Sequence, residues 1–246
     1  MTYESLAHPP IVEGLIEIAV EPAAKDVLPE LADFGNDLPD FPVRREALAL
    51  QGVFQWQPQG PSTSAQQQIV GYQYVSQDNK RVLQVRADAF VLSFLEPYPG
   101  FEILEQEARR LWSLYASRAE VGKATRVTLR YINRLNLPLP FGDFSEYILT
   151  APNIAPGIPQ GLSKFLMQVV VPDPNTANIG IITETMEGQT SEDGKQLPLV
   201  LDIAVSQTID LEVASDGIWE IVSSLRKFKN QLFFGSLTEN LLRMYR

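Results

Sequence analysis

Arg126, Arg130 and Arg134 recur every four residues in the stretch Thr125-Arg126-Val127-Thr128-Leu129-Arg130-Tyr131-Ile132-Asn133-Arg134. On a strand, where side chains alternate sides, the three guanidiniums share one face with Thr128 and Ile132. Val127, Leu129, Tyr131, Asn133 and Leu135 take the other. A guanidinium is a planar, permanently charged fork that fits carboxylate or phosphate. Such a ladder inside a cleft makes an anion site, with Tyr131 and Asn133 as candidate ligand contacts beside it. Near the start of the chain Glu13, Glu17 and Glu21 repeat the same spacing. Two readings stay open. The ladders neutralise one another as surface ion pairs, worth ~0–1 kcal/mol each, or the arginines hold an anionic ligand while Glu13 or Glu17 serves as base. A shared metal ion is disfavoured, because residues four apart on a strand lie ~13 Å from each other.

The remaining chemistry is sparse. The chain has no cysteine and a single histidine, His8. Thiolate sites, disulfides and histidine-rich metal centres are therefore excluded, and His8, just before Pro9-Pro10, is read as surface decoration. No catalytic residue, metal or cofactor is assigned. A net charge of -10 disfavours nucleic acid and anionic lipid as partners. The start, Met1-Thr2-Tyr3-Glu4, lacks the basic and apolar regions of a signal peptide, and no apolar run approaches the ~18–20 residues of a membrane span. The expectation is a cytoplasmic protein without a membrane partner. Its partner is then an unknown small ligand or another protein, and a homo-oligomer is compatible with the sequence.

The elements that must position these residues follow from hydrophobic period. Ile11–Val20 alternates as a strand, with Val12, Ile16, Ile18 and Val20 on one face. Val27, Leu31 and Phe34 fall at helical spacing. Strands follow over Phe41–Trp56 and Gln67–Ser76 with a turn over Pro58–Ser64, then two short strands over Arg81–Arg86 and Ala89–Leu95. Tyr72, Tyr74, Phe90, Phe94 and Tyr98 read as core aromatics. A helix carries Leu104, Ala108, Leu111 and Tyr115 on one stripe. From residue 124 the order repeats: a strand over Thr125–Leu137, a short helical stretch over Phe144–Leu149, strands near Phe165–Val171, Ile179–Thr185 and Leu199–Ser206. A long helix then carries Ile221, Leu225, Phe228 and Leu232 behind a cap at Ser215 or Asp216. Arg226, Lys227 and Lys229 are assigned to its polar face. Ser236-Leu237-Thr238-Glu239 has the form of a capping box, so Gly235 is expected to separate this helix from a final one.

These elements predict an α+β fold of two similar β-α-β-β-β-α halves, residues 1–122 and 123–246, with mainly antiparallel sheets and long helices on one face. Halves of this kind join about a pseudo-twofold and leave a cleft at the junction, where small ligands bind. The start Pro9-Pro10-Ile11-Val12-Glu13, the Arg130-Tyr131-Ile132-Asn133 centre and the two closing helices together resemble a sporadically distributed, uncharacterised prokaryotic protein family of about this length. Members of that family often carry a histidine in the penultimate helix, at the place taken here by Phe228. The resemblance implies fold coherence and no activity. The sequence thus favours a non-enzymatic ligand-binding or protein-interaction module. The alternative is an enzyme acting on a phosphorylated or nucleotide-like anion through the arginine ladder with Glu13 or Glu17.

Overall fold

A computed structural model describes residues 3, 6–57, 60–186, 191 and 193–246, and side chains throughout these except over 50–66. It is a mixed α+β structure built on one nine-stranded sheet, in which every strand pairing is antiparallel. The strands are β1 (Ile11–Val20), β2 (Val43–Gln57), β3 (Gly60–Val75), β4 (Arg81–Arg86), β5 (Ala89–Leu95), β6 (Lys123–Pro138), β7 (Phe165–Pro172), β8 (Ile179–Met186) and β9 (Gln196–Glu212). The helices are α1 (Leu28–Ala32), α2 (Phe101–Arg118), α3 (Gly217–Ser236) and α4 (Glu239–Leu242). No helix among the described residues is long and apolar enough to cross a membrane.

The sheet order is β2-β3-β4-β5-β1-β6-β9-β8-β7, so β1 and β6 are neighbours near its centre. Their register sets Gly14 opposite Tyr131 and Glu17 opposite Thr128. Alternation then sends Ile16, Ile18, Val127, Leu129 and Leu135, all at 4% exposure or less, to one face. Leu199, Leu201, Ile203 and Val205 of β9 join them there. The helices cover this face, and the apolar side chains between form one continuous core. Each fully buried Leu, Ile or Val adds ~1.5–3 kcal/mol.

The α2 stripe of Leu104, Ala108, Leu111 and Tyr115 is buried as the periodicity predicts. Helices α2 and α3 run side by side in opposite directions. Arg109 of α2 stacks on Trp219 near the start of α3, and Arg226, farther along α3, reaches Phe101 and Glu102 at the start of α2. Trp112 Nε1 donates to the Val213 carbonyl at 3.0 Å and ties α2 to the segment leading into α3.

Three expected boundaries move. The turn expected over Pro58–Ser64 is already strand from Gly60, because β2 and β3 form a long hairpin in register down to Gln57 and Gly60; residues 58 and 59 lie outside the described residues. The helix expected over Val27–Phe34 divides into α1 and a 3-10 turn over Phe34–Asp37, while Leu31 and Phe34 still reach the core. Gly235 lies inside α3, which runs on to Ser236, whose hydroxyl donates back to the Leu232 carbonyl at 2.8 Å within the last turn. The chain breaks instead at extended Thr238, whose side chain accepts from the Leu241 amide and caps α4.

One edge of the sheet is formed by β7, with Leu166, Val169 and Val170 exposed and no charged residue between Phe165 and Pro172.

Candidate functional site

The structure divides the candidate residues of β6 between two environments. Arg126, Arg130 and Arg134 lie on the face away from the helices, among carboxylates. Arg126 Nη2 is 2.8 Å from Glu17 Oε1 across the β1–β6 pair. Arg130 grips Asp202 of β9 through Nε at 2.9 and 3.1 Å and Nη2 at 2.5 Å. That carboxylate, with Glu13 and Glu17 adding weaker attraction, raises the Arg130 guanidinium further above its ordinary value against a burial cost. Arg134 is exposed and has no ion pair among the described residues. Glu13 stands half-buried on β1, opposite Ile132.

Tyr131 and Asn133 turn the other way, into a cavity of about 390 Å³ over the central strands. Its floor is β6. Its walls are the Tyr98-Pro99-Gly100 segment with the start of α2, the middle of α3, and the N-terminal stretch through Pro9-Pro10. Apolar surface comes mainly from Phe101, Phe233, Phe234 and Ile11; the Tyr3 ring stacks on Phe234 at 4.6 Å and 5°. Gly14 makes the tyrosine floor possible. A β-carbon there would stand 2.7 Å from the Tyr98 ring and 3.0 Å from the Tyr131 ring.

The polar groups in this cavity are few. Tyr98 and Tyr131 share a hydroxyl–hydroxyl bond of 2.6 Å with their rings edge to face. Burial holds both phenols protonated, well above the ordinary tyrosine range. Asn133 Nδ2 donates to the Leu201 carbonyl at 3.0 Å and, at 3.4 Å, to that of Tyr131. Its side-chain oxygen accepts nothing from the described residues. Arg226 is occupied by Glu102 at 2.9 Å and by the Phe101 ring, 4.1 Å from its centroid. Glu102 is held below the usual carboxylate range, by its own backbone amide and then by Arg226 against the cost of burial.

Lys229 differs from every other cation near the sheet centre. Its Nζ lies 4.1 Å from the centroid of the Tyr131 ring. It has no hydrogen bond or ion pair among the described residues. Burial, with the positive charge of Arg226 one turn away, lowers its ammonium to about 7. The π face of Tyr131 compensates in part, since a cation over an aromatic ring gains ~0.5–2 kcal/mol. A lysine poised between its two protonation states in an aromatic-walled cavity has two chemical capacities: as ammonium it binds an anion, and as free amine it is a nucleophile.

The assignment of Arg226 and Lys229 to a solvated helix face is therefore corrected: both line the cavity, and only Lys227 is exposed. The missed signal is a second stripe on α3, in which Ile218, Val222, Leu225, Lys229, Leu232 and Ser236 follow offsets of 4, 7, 11, 14 and 18. One lysine sits in the middle of a row whose other members are buried. Matched against protein-family models and against curated proteins, the chain finds no counterpart.

Proposed function

We propose that the protein binds a small molecule with an apolar body and an anionic head in the cavity between α2, α3 and β6. The observation that carries this reading is Lys229, a half-buried amine without a carboxylate partner among the described residues, facing aromatic walls. The volume falls in the lower range of small-molecule sites, ~300–1,000 Å³. An apolar body replaces water against Phe101 and Phe233, while a carboxylate supplies Lys229 with a partner that none of the described residues gives it. The strand order supports a duplicated origin for the site: outward from the centre it reads β1-β5-β4-β3-β2 on one side and β6-β9-β8-β7 on the other, each closed by a long helix. The cavity then belongs to the junction of the halves 1–122 and 123–246, in a cytoplasmic binding module.

Benzoate is a suitable probe. It is expected to raise the Tm of the protein, as any ligand specific to the folded state does. Above about pH 7 its binding should take up a proton at Lys229, seen by calorimetry in buffers of different ionisation enthalpy. No thermal shift with benzoate or its uncharged relative benzyl alcohol would sink the reading.

A second reading is an enzyme on a phosphorylated or nucleotide-like substrate, bound by Arg126, Arg130 and Arg134 with Glu13 or Glu17 as base. It is favoured by Arg134, whose guanidinium has no ion pair among the described residues. Saturable binding of inorganic phosphate, lost in Arg134→Ala, would support it.

A further inference from the structure

We infer that the Lys229 amine condenses with an aldehyde bound in the cavity, capturing it as an imine. This deepens the binding reading and rests on it. Four features of the site converge on that chemistry. First, Nζ has neither a hydrogen-bond acceptor nor a carboxylate among the described residues, so none of them holds its lone pair protonated. Second, the groups facing it from the neighbouring elements are Tyr131 of β6, Tyr98 ahead of α2 and Arg226 of α3, with Glu102 of α2 engaged by Arg226. Both phenols stay neutral, and Arg226 disfavours a second positive charge nearby, which leaves the amine free to react near pH 7. Third, the Tyr131 ring lies 4.1 Å beneath the nitrogen, where it attracts the protonated imine as it attracts the ammonium. Fourth, the walls are aromatic and the volume suits a compound of benzaldehyde size.

The step balances without an oxidant or reductant. The nitrogen lone pair forms a bond to the carbonyl carbon, and a proton moves from nitrogen to the former carbonyl oxygen. That oxygen, after taking a second proton from solvent, leaves as water. Loss of the remaining N–H proton gives the neutral imine, so amine plus aldehyde yields imine plus water.

The test treats the whole protein at pH 7 with benzaldehyde and sodium borohydride, whose hydride reduces the imine to a stable secondary amine, and maps the product by peptide mass spectrometry. Lys229 should be modified roughly 10- to 100-fold faster than Lys25, Lys80, Lys123, Lys164, Lys195 and Lys227, because an ordinary lysine is almost wholly protonated at this pH. The map separates this product from one at the N-terminal amine. The rate at Lys229 should rise through about pH 7 and level off above it. Benzoate should protect Lys229 in the unaltered protein, a comparison that depends on no variant, and Lys229→Arg should abolish the adduct. Labelling spread evenly over the lysines while benzyl alcohol still shifts Tm would overturn imine capture and leave the binding site standing. Even labelling without any thermal shift would overturn both.

Discussion

Arg130 and Lys229 are both cations beside the central strand, one on each face of the sheet, and they are treated in opposite ways. Arg130 is half in solvent and held by three short hydrogen bonds to Asp202. Lys229 is half-buried, lacks a carboxylate partner among the described residues and lies over an aromatic ring. The first arrangement is what a sheet surface does with charge: it pairs it, gains little and exposes no chemistry. The second costs stability, since burying an unpaired ammonium is unfavourable, and such a cost is the usual mark of a site kept for function. A row of charges is conspicuous in a sequence, whereas the more informative cation here is a single residue without a partner.

Three measurements sharpen or break this contrast. The largest effect is expected for Tyr131→Ala, which removes a ring at 2% exposure from the cavity floor. It should cost ~3–5 kcal/mol in chemical denaturation. Next, Lys229→Met should stabilise the protein at pH 6 by ~1–4 kcal/mol, as replacing buried charge with apolar volume commonly does. The sign across pH follows from linkage. With Lys229 near 7 when folded and near 10.5 when unfolded, the unfolded chain holds more protons between those values. Stability of the unaltered protein therefore rises with pH across that window, and the advantage of Lys229→Met fades over it. Equal pH dependence of the two proteins would show that Lys229 titrates as an ordinary lysine. The smallest effect belongs to the open face: a double-mutant cycle with Arg130→Ala and Asp202→Ala should return a coupling of ~1 kcal/mol or less. A much larger value would make that pair a structural element in its own right.

The fold was largely legible because its elements bury one face each. The alternation of Ile16 and Ile18, or of Val127 and Leu129, and the four-residue steps of Leu104, Ala108 and Leu111 state their partners by period alone. Boundaries were less so, since they turn on local contacts such as the Thr238 side chain capping the Leu241 amide, which no periodicity encodes. At the candidate site, Tyr131 and Asn133 stand out in the sequence because they share a strand with conspicuous arginines. Arg226 and Lys229 do not stand out by residue type, since basic residues on an amphipathic helix are usually solvated; only position, in the row from Ile218 to Ser236, marks Lys229 as a misfit. Tyr98 and Phe101 come together with Lys229 only through the antiparallel placement of α2 and α3, a long-range arrangement that no local pattern predicts.

The neutral edge strand β7 bears on how the molecule behaves in a crowded solution. A net charge of -10 keeps copies apart at low ionic strength, but β7 contributes none of it, and among the described residues no strand pairs with its outer amides and carbonyls. As salt screens the repulsion between copies, this is where one molecule meets another with the least electrostatic resistance and the most unspent hydrogen bonding.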